Sequence, residues 1–351
     1  MKGTSYMKAK FEEKYFFAAN SGLGFVGVYE QLIDTAERVF IIKGGPGTGK
    51  SSFMREIGKN AEKNGYRTVC YYCSSDPDSL DAVFIDSRIL FIDGTSPHAV
   101  EPRLVGAKEE LINLGDFWDS ARLFLEKERI AYISKQKSDA FSVAYKYLSA
   151  AKKLGDAAET LIKPAILEDK LDRAVKRICT SLPAEKGGKT TEIFTTSYGM
   201  KEKVSLDTLE RRAGVVFGVG DILGTAHFFL DRLKIFAEKT GHTITVAYDP
   251  LDPAQVEAVY FEKAEVLYKK NADGYKNINM QRFLDSEYVS SVRSEIKKTL
   301  KLRDVCIDFA LDAMKCASEH HFALEKIYGD AMDFYAKEEF TDNFIGELFD
   351  K

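Results

Sequence analysis

A doubly wound α/β fold with a mainly parallel sheet, made twice in one chain, is predicted by three features of this sequence. The apolar run Val39-Phe40-Ile41-Ile42 leads through a glycine-rich loop into a segment of helical spacing. A stretch beginning at Ala61 recurs at Ala237. Each copy then ends in a long, proline-free, helix-forming stretch. The 351 residues fit about two domains, and the division expected is 1–185 and 186–351.

The first element is the strand. Four consecutive apolar residues suit a strand buried on both faces of a parallel sheet. Ser51 to Asn64 follows as a helix, with Phe53, Ile57 and Ala61 at helical spacing. Between them Gly44 to Ser51 reads GGPGTGKS, which satisfies GxxxxGK[ST], the phosphate-binding P-loop pattern. The chemistry explains the spacing. Gly44, Gly47 and Gly49 permit backbone angles closed to other residues and a close approach to a ligand. Successive N–H groups then face one concavity, and the helix N-terminus adds partial positive charge. The expected cradle is Gly44, Gly45, Pro46, Gly47, Thr48, Gly49, Lys50, Ser51 and Ser52. Lys50 reaches the β- and γ-phosphates, and the Ser51 hydroxyl is the expected magnesium ligand.

Such a site needs an acid at the end of another buried strand. Ile89-Leu90-Phe91-Ile92-Asp93 supplies one, making Asp93 the expected second magnesium ligand. Asp86, after Val83-Phe84-Ile85, is its rival. A further group, Asp76-Pro77-Asp78 with Asp81 nearby, follows the expected strand Thr68 to Cys73. Loops after strand C-termini face ligand in open α/β sheets, whereas Asp-Pro also starts turns. Asp78 is retained as a catalytic candidate beside Lys50 and Asp93. His98 is a second candidate base. Arg88, Arg103, Arg211 and Arg212 are open choices for a cation on the transferred phosphate.

The repeat is ungapped from Ala61–Ile85 to Ala237–Phe261 at an offset of 176, with nine identities in 25 pairs. Ile112 to Ser120 recurs as Ile278 to Ser286 at an offset of 166. Extending the first offset sets Lys50 against Ala226, Ser51 against His227, Gly45 against Asp221 and Asp93 against Lys269. The phosphate-handling positions are lost together in the second copy, and Asp221 places a negative charge where phosphate belongs. Asp252-Pro253 persists there, which favours a structural turn for Asp76-Pro77.

After each repeat come the stretches from about Phe117 to Lys163 and from about Phe283 to Tyr328. Apolar or small residues such as Phe141, Ala144, Tyr145, Leu148, Ala151 and Leu154 recur at three and four. A single helix that long is unusual, so each half is expected to carry its own antiparallel helical hairpin, the first breaking near Ser134 to Asp139. Its lysines, Lys135, Lys137, Lys146, Lys152 and Lys153, alternate with Tyr132, Tyr145 and Tyr147. That face suits solvent, or contact with nucleic acid or a partner's acidic face. The linker is placed at Pro183 to Thr190.

Composition sets the outer bounds. A net charge of −4 gives no general pull toward nucleic acid or anionic membrane. No apolar run reaches the length of a membrane span, and no leader-type segment opens the chain. Five cysteines without a dense framework fit a reducing compartment, and the cytoplasm is expected. Cys70 and Cys73 form a lone CxxC in a strand, where their side chains point to opposite faces.

The segments GGPGTGKSSF, YYCSSDPDSLDAV, FIDGTSPHAVEP and INLGDFWD together resemble a family of bacterial tandem P-loop ATPases of unknown physiological role. The likeness covers most of the chain. Members commonly carry a Walker-type motif in each half, whereas here the second is degenerate. The resemblance implies a doubly wound P-loop fold and nucleotide binding. With the residues above, the expected function is a P-loop NTPase that binds ATP or GTP with Mg2+ at one site in the first half. The alternatives are a nucleotide or small-molecule kinase and a nucleotide-sensing interaction protein with negligible turnover.

Overall fold

A computed structural model describes residues 13–349 apart from 98, 186 and 275. In the first half β1 (Glu13–Phe16), β2 (Ala18–Ser21), β3 (Gly24–Gly27) and α1 (Tyr29–Thr35) precede β4 (Arg38–Lys43) and α2 (Lys50–Lys63). Then follow β5 (Thr68–Tyr72), β6 (Leu80–Ile85), β7 (Ile89–Asp93), β8 (Glu109–Asn113), α3 (Ser120–Leu125), α4 (Lys127–Ile162) and α5 (Glu168–Ser181). The second half runs β9 (Thr190–Ile193), β10 (Thr196–Tyr198), β11 (Lys203–Ser205), α6 (Thr208–Arg212), β12 (Val215–Val219) and α7 (Ala226–Lys239). It continues with β13 (Ile244–Tyr248), β14 (Val256–Phe261), β15 (Val266–Lys270), β16 (Lys276–Ile278), α8 (Ser286–Gly329) and α9 (Phe334–Phe349).

The result is a mixed α/β architecture with two six-stranded sheets. The first has the order β1-β5-β6-β7-β4-β8 and the second, read from its β9 edge, β9-β13-β14-β15-β12-β16. These are the same order, element for element. In each sheet one strand, β6 or β14, is antiparallel to both neighbours, and the other pairings are parallel. Even the irregularities coincide. The β5–β6 register shifts between Tyr71 and Tyr72, and the β13–β14 register between Ala247 and Tyr248.

The sheets meet at their β1 and β9 edges. Phe16 N donates to Phe194 O at 2.9 Å, and Phe194 N donates to Phe16 O at 2.8 Å. An edge strand leaves a row of unpaired backbone groups that must be covered. Here each half covers the other's edge. Gln31 of α1 donates to Thr190 O and accepts from Glu192 N on β9, at 2.8 and 3.0 Å. Thr208 of α6 accepts from Lys14 N and donates to Lys14 O on β1, at 3.1 and 2.6 Å. One apolar cluster spans both sheets, with Tyr15, Val39, Ile41 and Tyr71 from the first and Ile193, Ala247, Tyr260 and Leu267 from the second.

The helical arm differs from expectation. No break occurs near Ser134 to Asp139: α4 is one helix of 36 residues and α8 one of 44. The hairpin forms between the halves, not within each. Ile133 packs with Leu324 and Ile327, and Ala144, Leu148 and Ala151 pack with Ala310 and Met314, so α4 and α8 run antiparallel. The three-and-four spacing is a coiled-coil seam, and each long helix is the other's partner. Part of the basic and aromatic face is consumed by this packing. The Tyr145 hydroxyl donates to Asn20 Oδ1 at 2.8 Å, and Lys152 pairs with Asp156 and Asp252 at 2.9 and 3.3 Å.

The last helix of each half also crosses over. Leu171, Val175 and Cys179 of α5 join Phe229 and Leu233 of α7 in one core, and His242 Nε2 lies 2.9 Å from Cys179 O. In return Phe344 of α9 packs on Phe40, Phe53 and Phe91 of the first half, at ring separations of 5.4, 5.6 and 6.0 Å. The two six-stranded sheets thus share no strand, while α5 and α9 each pack on the other half. Among the described residues no helix is long and apolar enough to cross a membrane.

Candidate functional site

Strand β4 ends at Lys43 one place in from the β8 edge of its sheet, flanked in parallel by β7 and β8. The chain then turns through Gly44–Gly49 into α2. Gly49 is the N-cap of that helix with φ of 84°, and Gly47 has φ of 72°, the left-handed region that glycine enters without steric cost. Buried Thr48 closes the loop on itself, its hydroxyl donating to Gly45 O at 2.9 Å. Ser52 donates to Gly49 O at 2.8 Å.

Lys50 folds back over the loop. Its Nζ donates to Gly44 O at 3.0 Å and Gly45 O at 2.9 Å, and lies 3.6 Å from Asp93 Oδ2. Both side chains are 12% exposed. Asp93 ends β7, which is hydrogen-bonded directly to β4, so the sheet register fixes this pair. Its Oδ1 accepts from Thr95 N at 2.8 Å and Thr95 Oγ1 at 2.6 Å. Burial pushes the Asp93 carboxyl pKa up, and Lys50 opposes that shift. The Ser51 hydroxyl accepts from Leu80 N at 2.9 Å, tying the loop to the start of β6.

Strand direction separates the two candidate acids. Strand β6 is antiparallel, so Asp86 falls at the opposite end of the sheet, where its Oδ1 accepts from Arg67 N at 2.7 Å. Asp76 lies in a turn closed by Ser79 N to Asp76 O at 2.9 Å. Asp78 is exposed and pairs with Lys201 of the second half at 2.8 Å, which lowers its carboxyl pKa. That pairing turns it to the surface, away from the Lys50–Asp93 pair. His98 lies outside the described residues. Arg88 pairs with Glu37, Arg103 with Glu30, and Arg212 with Glu13 and Glu262, so these three are engaged elsewhere.

Other groups reach the site through strand pairing and cross-half packing. The β6–β7 register, Ala82 opposite Ile92, brings buried Asp81 beside Asp93, whose pKa it helps to raise. Helix α8 of the other half crosses the loop. A β-carbon on Gly45 would lie 2.9 Å from the Tyr328 ring, and the Glu325 backbone abuts Gly47. Lys137 of α4 is half-buried nearby. Burial lowers its pKa and the charge of Lys50 adds to this, while Cys73 and Glu325 oppose it.

The equivalent place in the second half is filled by the protein's own charges. Asp221 Oδ1 accepts from Ala226 N at the start of α7, at 3.0 Å. A carboxylate thus sits at a helix N-terminus, where an anion is favoured. Lys270 lies 3.3 Å from both Asp221 and Asp249, and these carboxylates raise its pKa against burial. Lys269, facing Asp93 in the repeat, pairs with Glu210 at 2.5 Å. His227, facing Ser51, is buried with its Nδ1 2.9 Å from Gly224 O. A cavity of about 150 Å3 remains there, lined in part by His227, Asp249, Lys270, Glu159 and Arg303.

The donor set fits magnesium. Ser51 and Asp93 offer hard oxygen ligands, and the Asp93 carboxylate is buried beside a second acid. Magnesium takes one or two protein oxygens and completes its shell with phosphate and water. Among the described residues no cluster of three or more His, Cys, Asp or Glu suited to hold a metal occurs. No protein-family model matches the chain, and no curated protein or solved structure matches it either.

Proposed function

We propose that this chain is a magnesium-dependent P-loop NTPase that binds and hydrolyses ATP or GTP at one site in its N-terminal half. The C-terminal half is, in this reading, a duplicated copy whose site has become structural. The observation that carries it is the Lys50 ammonium resting on the Gly44 and Gly45 carbonyls, 3.6 Å from an acid on the adjoining parallel strand. To leave, that ammonium gives up two neutral carbonyl acceptors and its ion contact with Asp93. On nucleotide binding Lys50 moves to the γ-phosphate, where it stabilises charge that develops during transfer. The loop amides hold the other phosphates. Ser51 and Asp93 would hold magnesium, which when bound neutralises phosphate charge.

Calorimetric titration tests this. The parent is expected to bind one Mg-nucleotide per chain and to release phosphate without an added acceptor. Lys50→Ala should bind none while keeping its circular dichroism. If that variant binds Mg-ATP like the parent, the assignment is wrong.

One observation favours a nucleotide sensor with negligible turnover. Helix α8 rests on the loop itself, through Glu325 and Tyr328. A bound nucleotide would then report to the arm. Tight binding with no phosphate release over hours would select this reading.

A further inference from the structure

Beside the Gly44–Ser51 loop lies an open cleft of about 690 Å3, a size that suits a small ligand. One wall is Phe117, Trp118 and Arg122, and the other is the segment Asp330 to Ala336. The walls come from different halves and are stitched by backbone bonds, Asp119 N to Ala331 O at 2.8 Å and Asp333 N to Phe117 O at 2.7 Å. Both aromatic walls lead to the loop. A β-carbon on Gly49 would lie 3.8 Å from Phe334 Cε1. The Trp118 ring is 5.8 Å from that of Tyr328, which in turn covers Gly45.

The chain supplies its own comparison. The paired bridges Trp118–Met332 and Leu284–Ile166 set Leu284 in the place of Trp118 and, two residues on, Glu168 in the place of Phe334. Glu168 is an ion partner of Arg232. Asp116, also on this cleft, is matched by Arg282. Phe117 is matched by Phe283, so it is Trp118 and Phe334 that occur only where the glycine loop is present.

We propose that this cleft receives the aromatic base of the nucleotide whose phosphates occupy the loop. The inference rests on reading that loop as a phosphate cradle. Trp118 and Phe334 offer π-faces to a heterocycle, and stacking on an aromatic side chain is a sequence-tolerant source of base affinity. Asp116 and Arg122 offer an acceptor and a donor to its polar edge.

Trp118 is the only tryptophan in the chain, so its emission reports on the cleft directly. The parent and Phe334→Ala are titrated with Mg-ATP, Mg-GTP and inorganic tripolyphosphate, by calorimetry and by fluorescence. Phe334 is 43% exposed, so its truncation leaves the core intact. The nucleotides are expected to bind the parent more tightly than tripolyphosphate and to change Trp118 emission. Phe334→Ala should weaken the nucleotides about fivefold or more and tripolyphosphate by less than about twofold, on the scale of an aromatic stacking contact. Phe334→Tyr should restore nucleotide affinity. Equal affinity of the parent for nucleotide and tripolyphosphate, equal weakening of both by Phe334→Ala, or silent Trp118 emission would overturn the pocket and leave the loop reading standing. If the parent binds none of the three, both fall.

Discussion

The carbonyl oxygen of Glu325 lies against Gly47, so close that a β-carbon there would sit 2.4 Å from it. These residues are far apart in sequence and belong to different halves. The contact explains why the loop position nearest α8 has no side chain. Gly47→Ala meets two penalties, a left-handed φ and a clash with backbone that cannot rotate away. We expect it to destabilise the chain by about 2–4 kcal/mol in urea unfolding. Gly65→Ala is the control, because its φ of 85° is similar but no atom lies within 4 Å of the added carbon. It should cost only about 1–2 kcal/mol. Equal losses would mean that α8 does not rest on the loop.

Asp93 is a buried carboxyl whose pKa is raised by burial, with Lys50 opposing. A group with a raised folded pKa holds its proton better in the folded state. Its charge therefore costs stability at neutral pH, and the cost falls as pH drops through the folded pKa. Asp93→Asn removes that charge while keeping the shape. The variant should match or exceed the parent's melting temperature at pH 8, with the difference shrinking as pH falls through the raised Asp93 pKa. Phosphate release should be lost. A variant that is less stable than the parent at pH 8, and no worse at pH 5, would contradict this account of Asp93.

Local sequence signals carried strands, loop and repeat because each is a short-range property. The run Val39–Ile42, the glycine loop and the α2 spacing together specify strand, turn and helix without distant help. Register, by contrast, sets Asp93 beside the loop and Asp86 at the other end of the sheet, and the antiparallel course of β6 is not written in its apolar pattern. The seam Ala144, Leu148 and Ala151 was legible as a stripe needing a partner helix. Its spacing does not say which helix, and a partner within the same half was the local answer. Asp81, Lys137, Glu325 and Tyr328 reach the loop through cross-strand and cross-half packing, so no spacing around the motif announces them.

Lys270 holds two carboxylates, Asp221 and Asp249, each at 3.3 Å. Burial is the largest influence on Asp249 and acts against its charge, but Lys270, the backbone N–H groups of Asp252 and Leu251, and Lys203 together outweigh it, so its pKa is lowered. Lys270→Met leaves both acids without their cation. Breaking a buried ion network by removing one partner costs about 3–5 kcal/mol. We expect that loss in denaturant unfolding, with nucleotide stoichiometry unchanged at one. Ala226→Lys should likewise leave it at one, because Asp221 still occupies the start of α7. A second bound nucleotide in either variant would show that the Asp221 end of α7 has phosphate affinity of its own.

Helix α9 stands last in the chain yet closes the first half. Phe344 lies on Phe40, Phe53 and Phe91, and Phe340 adds a ring 6.0 Å from Phe53. Phe344→Ala removes an aromatic that is half-buried, at a cost of about 2 kcal/mol. The location of the damage is the sharper test. Hydrogen exchange should quicken in β4, β7 and α2, the elements beneath the ring, and not in α7 or β13 of the half that encodes it. Leu171→Ala in α5 should do the reverse, loosening α7. Because α2 begins at Lys50, Phe344→Ala should also weaken nucleotide binding, whereas Leu171→Ala should not. Faster exchange in α7 on loss of Phe344 would mean that the halves keep their own last helices.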